Sequence, residues 1–359
     1  MTDSAASVAA QTFASAAQAW QSGEWNSAHR QAAAAADLFG QLDGHELDVG
    51  NAHLLDGRAL LDGGRHADAL RAVQLAAGVL RAVATPISGP GGVLYGQALG
   101  VLGSAREALG DYVLAAVSYR LALHHALHQR HPALIATAAT RCAILCKYTG
   151  RYRHARQYYQ LVEQALTDPA AGSPHAHAAL QHNLGGLAHA AGHHEQAREH
   201  AQAALRMRET MQPADPIAIA IERSALAPIL IDLGHYTDAH QQLTLAAHEL
   251  AATLGAEHYE LAVIHHNQAE LAARQHHWPQ AITHHEHALD LKRAHHGAGH
   301  PDLAITHYSL AIAYHHTHNT PAARQHAQHA ITILTSAAPH HPLLADARHL
   351  LTRLTPPTP

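Results

Sequence analysis

Histidine carries most of this chain's chemical capacity, at 39 of 359 residues. It is the side chain that ligates metals and exchanges protons near neutral pH. The clusters are His124, His125, His128 and His131; His193 and His194; His284, His285 and His287; His295, His296 and His300; and His315, His316 and His318. His124 and His128 lie four apart, as do His189 and His193, so each pair shares one helical face and suits chelation. No cluster adds a carboxylate or cysteine at a recognised ligand spacing. The HExxH pattern is absent too, because His194-Glu195 finds its next histidine only at His200. Runs such as His284-His285-Glu286-His287 stand where helix surfaces ordinarily carry lysine, glutamine or glutamate. The expectation is therefore a histidine-rich surface, with no dedicated metal site and no cofactor.

Other catalytic signatures are missing. There is no G-x-x-x-x-G-K-[ST] phosphate loop, no G-x-G-x-x-G turn and no G-x-S-x-G elbow. Cys142 and Cys146 are the only cysteines. A disulfide between residues four apart on a helix would be strained, so they read as reduced structural thiols.

Formal charge is −5, and Lys147 and Lys292 are the only lysines. Nucleic-acid binders concentrate basic residues on one face, so no nucleic-acid partner is expected. No apolar run approaches the roughly 20 residues that span a bilayer, and the start, Met1 to Ala6, lacks the basic stretch of a secretory signal. The expectation is a cytoplasmic protein without a membrane partner. Apolar residues make up 47% of the chain but aromatics only 4%, a composition for closely packed helices with small side chains.

The elements that must position these residues are set by a repeat. Gly150…Ala155, Gly192…Ala197, Gly234…Ala239, His276…Ala281 and His318…Ala323 share one layout, and their alanines fall 42 residues apart. Gly23…Ala28, Gly64…Ala69 and Gly110…Ala115 extend it upstream with less regular steps. A second anchor runs in phase through Ala136, Ala178, Ala220, Ala262 and Ala304. A glycine at a tight turn between two helices and an alanine where the second crosses the first explain the layout. Stacked pairs then complete one another's core.

Asn183-Leu184-Gly185…Gly192…Ala197…Ala204 and Leu102-Gly103…Gly110…Ala115…Tyr119…Ala122 resemble the tetratricopeptide repeat. The 42-residue period and Gly299-His300-Pro301-Asp302-Leu303-Ala304 look like its kinesin light chain subclass. The resemblance implies an all-α superhelical solenoid of about eight antiparallel helix pairs. Residues 1–84 would hold irregular pairs, 85–92 a Pro/Gly insertion, 93–354 the regular array and 355–359 a disordered tail.

Arrays of this family bind along a concave surface lined by first helices. With the repeat alanine as a register mark, the resemblance places Arg141, Lys147, Tyr148, His182, Asn183, His189, Asp232, His266, Asn267, Glu270, Arg274, Tyr308, His315 and His316 on that groove. Asn183 and Asn267 are equivalent positions two repeats apart, and such amides suit pairing with an extended peptide backbone. His182, Asp232, Glu270 and Arg274 supply acid, base and anion-binding groups, but no spacing singles out a catalytic pair.

The leading reading is a non-catalytic module that binds a peptide or protein segment, in a scaffolding or regulatory role. A peptide- or small-molecule-sensing regulator and a groove enzyme acting on a biosynthetic intermediate are the alternatives. Self-association through the terminal repeats is the open route to a homodimer. Protonating the histidines would add up to 39 charges to a chain at −5. Melting temperature should therefore fall markedly from about pH 7.5 to about 5.5, and a flat profile would contradict this.

Overall fold

Every helix pair is closed by one backbone device. The amides of Glu24, Arg65, Asp111, Arg151, His193, His235, His277 and Asn319 each donate to the carbonyl five residues back, at 2.8–2.9 Å. This is the Schellman bond that ends a helix once the preceding residue turns left-handed. Six of those preceding residues are glycines with φ of 70–81° (Gly23, Gly64, Gly110, Gly150, Gly192, Gly234). In the last two pairs His276 and His318 adopt the same conformation, with φ of 61° and 59°. The histidines accept a conformation that L-residues visit at a cost, and the turn is preserved.

The computed structural model describes residues 2–337 and 343–354; the tail at 355–359 lies outside the described residues. Among them are seventeen helices and no strand, so the chain is an all-α repeat solenoid. It divides into two compact units, residues 1–145 with 160–170, and residues 146–159 with 171–359. The first contains α1 (Thr2–Gln21), α2 (Trp25–Phe39), α3 (Glu46–Asp62), α4 (His66–Ala82), α5 (Pro90–Ala108) and α6 (Tyr112–Gln129). α7 (Pro132–Tyr148) and α8 (Tyr152–Ala165) carry residues of both. The second contains α9 (Pro174–Ala190), α10 (His194–Thr210), α11 (Pro216–Asp232), α12 (Tyr236–Leu254), α13 (Glu260–Arg274), α14 (Trp278–His296), α15 (Pro301–His316), α16 (Thr320–Ala337) and α17 (Leu343–Leu354).

All eight repeat alanines, from Ala28 to Ala323, are fully buried. Their partners on the first helix are equally small where contact is tightest. A Cβ added at Gly103 would lie 2.5 Å from the Tyr119 ring, and one at Gly185 would lie 3.3 Å from the backbone of Ala197 and Ala201. Leu226, Ile229, Ile231, Leu243, Leu250 and Ile264 then join pairs α11/α12 and α13/α14 in one apolar core.

The first two pairs are irregular in spacing but not in their turn bonds. The Pro/Gly run at 85–92 ends inside α5, which begins at Pro90. Cys142 and Cys146 are buried thiols without a disulfide. α17 lies beyond the last full pair and packs Leu350 and Leu354 against Ala311, Ala323 and Ala327. No helix among the described residues is long and apolar enough to cross a membrane.

Ala197→Leu tests the crossing directly. Overpacking this site should cost about 1–3 kcal/mol, read as a lower urea midpoint at unchanged helicity.

Candidate functional site

Within each unit, first helices of successive pairs touch one another, as α3 does α5 and α11 does α13. Among the described residues no two successive second helices approach as closely as these, and α15 reaches α13 through Ser309 and Glu270. The first-helix face, across which the repeats bond to one another, is taken as the candidate inner face of each stack. In the second unit it is built from α9, α11, α13 and α15, and its polar residues bond mainly to the equivalent helix of the next repeat.

His189 Nε2 lies 2.8 Å from Asp232 Oδ2, and Arg274 donates to Asp232 Oδ1 at 2.5 Å. Asp232 and Arg274 end α11 and α13, at equivalent positions; the next is His316, exposed and stacked on Trp278 with ring centroids 3.9 Å apart. Burial opposes ionisation of Asp232, but the His189 hydrogen bond and the Arg274 charge outweigh it and hold its pKa below the usual carboxylate value. Arg274 stays half-exposed while anchored, with 52% of its side chain accessible. His315 is exposed beside His316.

Deeper on the face, His182 Nδ1 lies 2.8 Å from Glu222 Oε2. Asn183 donates to the Ala179 carbonyl of its own helix at 2.9 Å. Asn267 is buried and donates to the Ser224 carbonyl at 3.0 Å, tying α13 to α11. The two asparagines share a position in the repeat but not a function, and the Asn267 amide is spent on the neighbouring repeat. Ser309 donates to Glu270 at 3.2 Å. Tyr308 packs beside the cluster that α17 completes.

Of the remaining predicted residues, His266 lies on α13 and the Lys147 ammonium lies against Gly186 of α9. Arg141 lines a cleft of about 310 Å³ in the first unit, with Arg58, Gln97, Ser104, Tyr119 and Gln129. Lys147 places its ammonium 5.0 Å from the Tyr148 ring, and burial lowers its pKa. Of the four groups with catalytic chemistry, Asp232 and Arg274 are brought together as an ion pair. His182 is bonded to Glu222 and Glu270 to Ser309.

The histidines are not confined to the surface. His285 and His307 are 1% and 4% exposed. His285 falls on the buried stripe of α14 with Ala281, Ala288, Leu289 and Lys292, which corrects its reading as a surface substitution. Lys292 is buried as well, 3.5 Å from Asp302 and donating to Thr306 at 3.2 Å. His189 meets His194, rather than His193, across a ring separation of 5.5 Å.

One helix-to-helix contact recurs at residues 19 apart. It is Gln181 with His200 at 2.7 Å, Arg223 with Gln242 at 3.4 Å, His265 with His284 at 3.4 Å, and His307 with His326 at 2.9 Å. In the last two repeats both partners are imidazoles, so one ring must donate and the other accept.

Residues 260–336 match the family model for the tetratricopeptide repeat. No curated protein matches the sequence. Among solved structures, a Rap protein complexed with competence and sporulation factor is 12% identical, covering 98% of this chain and 100% of that chain at a TM-score of 0.59. The apo form of RapI is 11% identical over 96% and 99%, at 0.56. The apo quorum sensor NprR from B. thuringiensis is 12% identical over 97% and 87%, at 0.55. At these identities the likeness is one of fold alone.

Burial, reinforced by the charges of His326 and His329, lowers the pKa of His307 from 6.5 to about 3. Below about pH 6.5 the unfolded chain binds this proton and the folded chain does not, so stability falls as pH falls; above it the difference vanishes. His307→Gln recreates the Gln181–His200 pairing. It should keep the fold and reduce the loss of stability between about pH 7 and 5.5 by about 1 kcal/mol, measured by urea titration at each pH. An unchanged pH dependence would contradict the assignment.

Proposed function

We propose that this all-α repeat chain, whose residues 260–336 match the tetratricopeptide repeat, is a non-catalytic interaction module holding a peptide or protein segment along the first-helix face of its second unit. Tetratricopeptide pairs form a protein-interaction fold, and this face offers polar groups in repeat register. One observation carries the reading: the Asp232–Arg274 pair and His316 occupy equivalent last-turn positions of consecutive first helices. Arg274 is anchored yet solvent-facing. A donor held in place before binding costs less ordering when a ligand arrives, and the roughly 10 Å steps of stacked helices match an extended segment read at intervals.

Catalysis is the weaker reading. Asp232 is neutralised by Arg274, and His182 is bonded to Glu222. A second interaction reading is a peptide- or small-molecule-sensing regulator, in keeping with the fold likeness to the quorum sensor NprR. The partner's chemistry would be the same on either reading, an extended segment bearing a carboxylate for Arg274. A cytoplasmic location and a scaffolding role belong to the same proposal.

Display selection of random peptides on the immobilised full chain tests this. Enriched sequences should carry acidic residues, and Arg274→Ala with His316→Ala should weaken their binding at least about tenfold, or about 1.4 kcal/mol, with helicity retained. Binding unchanged in that double variant would remove the face from the account.

A further inference from the structure

α13 and α14 bring together three donor groups of a kind that no single stretch of sequence contains. One ligand atom from each of His266, Glu270 and His285 lies within 4.8 Å of the other two. His266 and Glu270 are one turn apart on α13, so their side chains stand over the same face. His285 reaches across from α14, with its Nε2 3.6 Å from Glu270 Oε1. An ion bonded at 2.0–2.1 Å in tetrahedral geometry needs its donors about 3.3 Å apart. The His285–Glu270 spacing is close to this, and the spacings to His266 lie within 4.8 Å.

His285 is almost fully buried, and Nδ1 of both His266 and His285 is buried without a hydrogen-bond partner. An unpaired buried polar atom is costly, and an ion bonded to His266 Nδ1 would supply its partner; His285 faces Glu270 with Nε2, so its Nδ1 is not satisfied by the same ion. Glu270 keeps 40% of its side chain accessible, which provides a way in. Ser309 donates to Glu270 Oε1, the oxygen that His285 Nε2 approaches, so an ion would share Oε1 or take Oε2. The nearby cation Lys292 is paired with Asp302, and Arg274 is paired with Asp232.

We propose that His266, Glu270 and His285 form a binding site for a zinc-class divalent cation, with a fourth coordination position open toward Glu270's exposed side. Two imidazoles and one carboxylate suit borderline metals such as Zn²⁺ and Co²⁺ rather than Ca²⁺ or Mg²⁺, which take oxygen donors. His189, His194 and Asp232 also converge within 4.8 Å. There the carboxylate is already held by the Arg274 guanidinium, so that trio is not assigned an ion. The cation site stands whether or not the face binds a peptide.

The test must separate one built site from many surface histidines. Chelator-stripped full-length protein is titrated with Zn²⁺ against a competing chromophoric chelator, and crystals grown with one equivalent of Zn²⁺ are measured on both sides of the zinc absorption edge. The first equivalent should give an anomalous peak bonded to His266, Glu270 and His285. Glu270→Gln and His266→Gln should each weaken it at least tenfold. His124→Gln with His128→Gln, on α6, should leave it unchanged. His285→Gln is not relied on, because its burial makes misfolding an alternative cause of loss. A first equivalent unaffected by Glu270→Gln and His266→Gln in folded protein, or anomalous density only at surface histidines (an adventitious ion only), would overturn the proposal.

Discussion

The close approach of the second helix of each pair to the first is the constraint on which the rest depends. It requires a residue with almost no side chain at the crossing and a chain reversal that returns the backbone at a fixed angle. The buried alanines from Ala28 to Ala323 meet the first requirement. The left-handed residue with its five-residue-back hydrogen bond meets the second. Once both are in place, stacking follows, because each pair has an apolar flank that only its neighbour covers. Leu243, Leu250 and Ile264 illustrate this, since they belong to two pairs but one core.

That geometry also determines how polar residues are used. First helices of consecutive repeats lie close enough for side chains to bond across them. Asn267 reaches Ser224, Ser309 reaches Glu270, and Arg274 reaches Asp232. A polar inner face therefore has two duties. Its deeper groups fasten repeat to repeat, and the groups at the helix ends, held by the same bonds, face outward. Arg274 performs both, which is why it is central to the proposed interaction surface.

The pair architecture was legible in the sequence because it depends on residue size and backbone freedom at fixed intervals. Ala155 to Ala323 recur every 42 residues, and the turn glycines stand before them. Even His276 and His318 were recognisable as occupants of the turn, although only the structure shows that they adopt glycine's left-handed conformation. The face was legible as a set of positions but not as a set of bonds. Asn183 and Asn267 are the same residue at the same position, yet one bonds within its own helix and the other with Ser224. His285 escaped for a related reason: it sits in a run of histidines that looks like surface, and only the stripe through Ala281, Ala288 and Lys292 turns it inward. α17 also lacked a signal, since it has no partner helix to complete the repeat pattern.

The central claim is that cross-repeat bonds on the inner face prearrange a surface for an extended segment. Hydrogen–deuterium exchange of the full chain, with and without a peptide that it binds, tests this most directly. The account predicts slowed amide exchange on binding in the last turns of α11, α13 and α15, with α10 and α12 unaffected. Protection confined to the second helices would contradict it.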